Sequence, residues 1–285
     1  HEQLYPCDYK LSELPTEAEA REFLEKRPFK AINVTIPYKQ LVIPYCAVLD
    51  EKARAIGAVN TVVNVNGVLH GYNTDFDGFA FLAAAHGGEF AGRRVLILGT
   101  GGTSKTVTAV AKAAGAAQVL YASRTPGEGR ISYAEALSCG AQVVVNTSPA
   151  GMYPNNDALA LDVAKMPGLE AVLDAVYNPF STRLVQAGRA AGAKAAGGLE
   201  MLVAQAVYAA ALFTGTEPQT DRIAPLAKAI FAEKANISLV GMPSCGKTTI
   251  GKQLAKAFGK KFVDLDAEIV KAAGKPIPDI FAESG

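Results

Sequence analysis

The chain has 285 residues, 49% hydrophobic and 19% charged, which supports about two folded domains and excludes a disordered chain. A net charge of +1 argues against a general polyanion-binding surface, and no apolar run reaches the 18 residues that a membrane span requires. Four widely separated cysteines, Cys7, Cys46, Cys139 and Cys245, have no metal-ligand spacing, so a reducing cytoplasm is the expected setting. In chain order, the first predicted strand is the apolar run 31–36, ended by Pro37. The β-branched run 58–65 meets 68–72 across Asn66-Gly67, a hairpin signal. Val95–Leu98 reads as a buried parallel strand, followed by a helix over 103–114 and a strand over 118–122. Further strands are expected at 141–145 and 171–176, with loops at 126–130 and 150–157. An Ala-rich helix is predicted over 199–214, after Gly197-Gly198, then a linker with a helix over 215–235. Ile237–Val240 is expected to open a new strand–loop–helix unit. The alternation implies βαβ units and a doubly wound sheet.

Three places carry chemistry. Gly99, Gly101 and Gly102 lie between a strand and a helix, where glycine lets backbone approach a pyrophosphate and the helix N-terminus offers free N–H groups. Ser104 stands where the third glycine of G-x-G-x-x-G belongs. The next strand ends in Ser123-Arg124-Thr125, with no acidic residue to take a ribose 2′-hydroxyl. A guanidinium flanked by hydroxyls suits a 2′-phosphate, so NADP is favoured over NAD. Second, Lys39 and Asp75 each follow a predicted strand among small polar residues. Together they could polarise a carbonyl and move a proton, although either alone would read as a surface charge. Third, 241–248 fits G-x-x-x-x-G-K-[ST] between an expected strand and a helix. Gly241, Gly246 and Lys247 would hold phosphates and Thr248 would hold Mg²⁺. Cys245 serves there as a small residue.

The motifs NVTIPYK (33–39), IGAVNT (56–61), GYNTDFDG (71–78), LGTGGTSK (98–105), SRT (123–125), NTSPAGM (146–152), DAVYNP (174–179) and GGLEMLVAQA (197–206) resemble the shikimate dehydrogenases over roughly 7–214. That resemblance implies an α/β, two-domain dehydrogenase: an α/β substrate domain (1–86, completed by the helix 197–214) and a Rossmann NADP domain (90–196), with substrate in the cleft between. It implies Lys39 and Asp75 as the catalytic pair, and Thr35, Asn60, Asp75, Tyr177 and Gln205 as shikimate contacts. NADP would be held by Gly99, Gly101, Gly102, Thr103, Ser123, Arg124 and Thr125, with Ala175, Gly198 and Met201 near the nicotinamide. The family often carries a second arginine shortly after the first, and Arg130 is the residue available. The implied partners are shikimate and 3-dehydroshikimate, with no nucleic acid and no membrane. Related readings are a quinate/shikimate dehydrogenase, a non-catalytic metabolite sensor and, from the P-loop, an ATP-binding module.

The stretches 260–269 and 274–285 resemble the start of shikimate kinase, with Asp264 near Mg²⁺ and Asp266 on a shikimate hydroxyl; ATP and Mg²⁺ belong to a complete kinase domain. The expectation is a dehydrogenase–kinase fusion seen as a fragment. The serines that grip the shikimate carboxylate would precede His1, the kinase substrate arginines and lid would follow Gly285, and the incomplete P-loop segment (236–285) would be inactive.

Overall fold

The computed structural model describes residues 1, 4–242 and 244–284, and divides into two compact units, His1–Glu233 and Lys234–Gly285. The first unit opens with α1 (Glu17–Lys26), whose Thr16–Glu19 capping box satisfies the first turn. A four-stranded sheet follows: β1 (Ala31–Asn33), β2 (Val48–Leu49), β3 (Thr61–Val65) and β4 (Val68–Tyr72), with α2 (Glu51–Ile56) after β2. Its order is β1-β3-β4-β2; β1 and β4 run antiparallel to β3, and β2 runs parallel to β4. The expected hairpin is present. Asn66 (φ 52°) and Gly67 (φ 86°) both take the left-handed conformation that a tight two-residue hairpin turn demands. β1 is shorter than predicted, because Tyr38 N–H closes a turn onto the Thr35 carbonyl (2.9 Å). β3 starts late, because Val59 N–H bonds to the Lys39 carbonyl (2.8 Å) instead of joining the ladder.

From β4 the chain enters α3 (Thr74–Ala85), then β5 (Arg94–Leu98), α4 (Gly102–Ala113), β6 (Gln118–Ala122), β7 (Arg130–Ile131), α5 (Tyr133–Ala136), β8 (Val143–Asn146), β9 (Ala171–Asp174), α6 (Arg183–Ala190) and β10 (Lys194–Ala196). These strands form one parallel sheet, β10-β9-β8-β5-β6-β7. Numbered from β5 as first strand, this is the 3-2-1-4-5-6 order of the doubly wound dinucleotide-binding fold, with its reversal between β5 and β8. Both faces are covered. Val95, Ile97, Val143, Val145 and Leu173 pack with Phe79, Val107 and Val110. Leu96, Leu98, Val144 and Val172 pack on the other side with Leu161, Val163 and Leu184. Alternate residues of one strand thus feed two cores, so these strands read as continuous apolar runs.

The helix α7 (Leu199–Thr214) returns against α3. Gly78 sits at that crossing, where a Cβ would stand 2.7 Å from the Met201 carbonyl oxygen. His86 Nε2 and Glu200 Oε2, 2.8 Å apart, join the end of α3 to the start of α7. The helix expected within 215–235 is α8 (Ile223–Lys234). It packs into the first unit, with Ile223 and Ala227 buried against Val203 and Val207, so this stretch is more than a spacer.

The second unit holds α9 (Lys247–Ala257), α10 (Leu265–Ala273) and α11 (Ile277–Ser284). The strand predicted at Ile237–Val240 is absent: the described residues 235–242 form no ladder, and Val240 is 95% exposed. An apolar run becomes a parallel strand only beside another strand, and among the described residues none pairs with it. No helix among the described residues is long and apolar enough to cross a membrane.

Candidate active site

Lys39 and Asp75 come together from two turns. Lys39 follows the Thr35–Tyr38 turn, which Tyr38 anchors through its hydroxyl to the Leu14 carbonyl (2.6 Å). Asp75 lies in the first turn of α3, where the positive end of the helix favours a carboxylate. The N-cap Asn73 accepts from Asp75 N–H (3.1 Å) and donates to the Ala58 carbonyl (2.8 Å), locking that turn to the β3 approach. Lys39 Nζ then donates to Asp75 Oδ2 at 2.6 Å, with side-chain exposures of 28% and 20%. The pair is ordered by its surroundings yet reachable.

Beneath it lies a buried polar floor. Asn60 Oδ1 accepts from Thr74 N–H (2.8 Å) and from the Thr61 hydroxyl (3.0 Å), and Asn33 Nδ2 donates to Thr61 Oγ1 (3.2 Å). Asn60 therefore spends its carbonyl on the scaffold. Its Nδ2 makes no bond among the described residues, so a donor remains for an incoming hydroxyl. Thr35 is exposed and Tyr177 is half exposed, and neither bonds to this group. Gln205 stands at the α3–α7 crossing, its Nε2 donating to the Leu202 carbonyl of its own helix (2.9 Å). The sequence reading missed Asn33, Thr61, Asn73 and Thr74, although NVTIPYK and GYNTDFDG contain three of them and IGAVNT the fourth.

The second part of the site is the crevice at the β5–β8 reversal. Gly99 has φ 102°, and a Cβ there would stand 3.3 Å from the Ser148 nitrogen. Gly101 caps α4 without a side-chain bond, and a Cβ at Gly101 or Gly102 would meet nothing within 4 Å. Free N–H groups thus face open space, as a pyrophosphate requires. Thr103 continues this turn, and Ser104 replaces the third glycine by folding its hydroxyl onto the Gly101 carbonyl (2.6 Å). At the end of β6, Ser123 Oγ accepts from Thr125 N–H (3.2 Å), while Arg124 between them is exposed and has no salt bridge among the described residues. Arg130 opens β7 after a turn in which it exchanges backbone bonds with Gly127. On the other side, a Cβ on Gly198 would stand 2.4 Å from the Ala175 carbonyl oxygen, so only glycine admits this approach. Met201, one turn into α7, packs on the core. The glycine cradle, the uncapped helix and the cation flanked by hydroxyls fit a dinucleotide bearing a 2′-phosphate.

Asp174, the last residue of β9, is fully buried and accepts from Val176 N–H (2.9 Å), Asn146 Nδ2 (2.9 Å) and the Thr182 hydroxyl (2.6 Å). Burial pushes its carboxyl up to about 6, against the lowering effect of those bonds. Between about pH 4 and 6 the folded chain therefore holds a proton that the unfolded chain has released. The stabilisation is full below that window and lost as pH rises through it, by roughly 3 kcal/mol. Melting temperatures measured from pH 4 to 7 should fall more steeply for the native chain than for Asp174→Asn. Parallel profiles would refute this.

In the second unit, Gly246 (φ 86°) caps α9, and Lys247 Nζ donates to the Gly241 and Met242 carbonyls (2.8 and 2.7 Å). Thr248 is exposed. Asp264 caps α10, accepting from Asp266 N–H (3.2 Å). Pro243 of the loop lies outside the described residues.

Residues 2–62 match the shikimate dehydrogenase substrate binding domain, 198–226 the shikimate 5'-dehydrogenase C-terminal domain, and 243–285 shikimate kinase. The shikimate dehydrogenase (NADP(+)) of Halothermothrix orenii is 37% identical over 238 residues, covering 74% of this chain and 81% of that one. The chain belongs to the shikimate dehydrogenase family. Another relative, the shikimate dehydrogenase (NADP(+)) of Carboxydothermus hydrogenoformans, is 37% identical over 210 residues, covering 67% of this chain and 74% of its own. Among solved structures, the Thermus thermophilus shikimate 5-dehydrogenase in complex with NADP(H) and shikimate superposes with a TM-score of 0.67 at 31% identity, covering 76% of this chain and 85% of that one. A quinate dehydrogenase from Corynebacterium glutamicum in complex with NAD gives 0.65 at 29% identity, covering 73% and 82%. A shikimate 5-dehydrogenase solved with NADP(H) and a quinate dehydrogenase solved with NAD thus both superpose on this chain.

Proposed function

We propose that the first unit catalyses the reversible, NADP-dependent reduction of 3-dehydroshikimate to shikimate. The observation that carries this reading is the 2.6 Å bond between Lys39 and Asp75 at the open edge of a buried polar floor. In the reductive direction Lys39 donates the proton that turns the ketone oxygen into a hydroxyl, and in the oxidative direction it takes that proton back. Asp75 orients the ammonium and accepts from a neighbouring substrate hydroxyl. Asn60 offers its Nδ2, and Thr35, Tyr177 and Gln205 complete the ring of polar groups that reads the substrate. Bound NADP supplies the hydride chemistry. Gly99, Gly101, Gly102 and Thr103 hold its pyrophosphate, Ser123, Arg124 and Thr125 its 2′-phosphate, and Ala175, Gly198 and Met201 border its nicotinamide. In this reading 1–86 and 197–214 form the substrate domain and 90–196 the NADP domain, in the cytoplasm.

The P-loop of the second unit offers Gly241, Gly246 and Lys247 to phosphates, and Thr248 and Asp264 to Mg²⁺. A kinase module that consumes shikimate is a coherent neighbour for an enzyme that makes it.

The test is reduced-cofactor formation by the purified chain, with shikimate or quinate crossed against NADP⁺ or NAD⁺. Signal with shikimate and NADP⁺ supports the assignment. Signal mainly with quinate and NAD⁺ overturns it in favour of a quinate dehydrogenase. No signal in any combination, with the chain folded, overturns it in favour of a metabolite-binding role.

A further inference from the structure

The motifs NTSPAGM and DAVYNP each contribute a buried polar residue that the proposed reaction does not use. Asn146 and Asp174 end the adjacent strands β8 and β9 and are fully buried. All four hydrogen-bonding sites of the Asn146 amide are engaged. Its Nδ2 donates to Asp174 Oδ1 (2.9 Å) and to the Ala150 carbonyl (3.2 Å), and its Oδ1 accepts from Ser148 N–H (3.0 Å) and the Ser148 hydroxyl (2.7 Å). Ser148 in turn packs against Gly99, where a Cβ would stand 3.2 Å from Ser148 Cβ. On its other side Asp174 takes Val176 N–H, while the Val176 carbonyl accepts from Gly198 N–H (2.9 Å) and the Asn146 carbonyl accepts from Ala175 N–H (2.9 Å). Among the described residues no cation pairs with Asp174, so its carboxylate is held by neutral donors alone.

Three backbone segments border the crevice: the Gly99 turn, the 147–150 loop and the 175–176 strand end against Gly198. We infer that Asn146 and Asp174 are positioning residues for NADP, joining these three segments into one surface from behind without touching the dinucleotide. A buried amide whose donors and acceptors are all engaged, two by loop backbone, one by the Ser148 hydroxyl and one by Asp174, has one geometry available, and it transmits that geometry to the loops. This inference rests on the NADP reading of the crevice.

The test is the equilibrium dissociation constant of NADP⁺ for the full chain, measured without turnover. Asn146→Ala should raise it at least tenfold, while the constant for shikimate moves less than twofold. Leu184→Ala, a cavity in the core behind the same sheet, is the control: it lowers the melting temperature but leaves NADP⁺ binding within twofold. If Asn146→Ala does not fold, Ser148→Ala, which cuts the same link at the surface, should weaken NADP⁺ at least threefold. An Asn146→Ala constant within threefold of the native value overturns the inference, as does an equal shift in Leu184→Ala or, where Ser148→Ala is used, a constant within twofold. Native chain that fails to bind NADP⁺ overturns the cofactor reading itself, which keeps the two failures apart.

Discussion

Lys39→Ala is expected to lower kcat by about 10²–10⁴-fold, the usual contribution of a positioned proton donor, with NADP⁺ affinity within threefold of native. The expected split follows from placement. Lys39 lies on the turn after β1, its carbonyl is fixed by Val59 N–H, and its ammonium bonds to Asp75 on α3. The glycine turn and Arg124 belong to the other sheet, and none of their bonds passes through Lys39. Removing the ammonium takes away the proton donor and leaves Asp75 unpartnered at a partly exposed site, which the fold tolerates. Steady-state kinetics with shikimate, beside direct NADP⁺ binding, decides the matter. Equal losses in turnover and NADP⁺ affinity would show that Lys39 supports the fold or the cofactor, and the proton role would be lost.

Arg124→Ala is expected to raise the KM for NADP⁺ by about ten- to a hundredfold while the KM for NAD⁺ moves less than threefold. A hydrogen bond to a charged group contributes about 1.5–3 kcal/mol, and each 1.4 kcal/mol is a factor of ten. Arg124 is exposed, free of a salt bridge among the described residues, and stands between Ser123 and Thr125, whose own bond shapes the turn. No acidic residue lies between Gln118 and Thr125 to favour a bare ribose. Parallel losses with both cofactors would show that Arg124 holds the turn and does not read a phosphate. The comparison matters because the quinate dehydrogenase solved with NAD shares this fold at 29% identity.

The legible parts of the sequence were those set by local chemistry. Asn66-Gly67 announced its hairpin because both residues had to enter the left-handed region. Val95–Leu98 announced a central strand because both of its faces are buried. Gly101 and Gly102 announced the cradle because strand, turn and helix are contiguous there. What the sequence hid was long-range. Gly78 looks like any glycine in a helix until α7, more than a hundred residues later, is laid across it. Asn146 and Asp174 are ordinary strand-end residues until parallel pairing sets them side by side. Ile237–Val240 failed in the opposite sense: its pattern is that of a strand, but β structure needs a partner and none pairs with it among the described residues.

The α3–α7 crossing bears on how the chain is made. α3 is complete at Ala85 and its partner begins at Leu199, so about 115 residues separate the two halves of one contact. At 5–20 residues per second the ribosome needs roughly 6–23 s to supply the second half. Through that interval Phe79 and Leu82 can bury against the growing parallel sheet, but the groove at Gly78 stays open. The Lys39–Asp75 pair hangs from the first turn of α3, so the proposed catalytic pair would be among the last features of the first unit to become rigid.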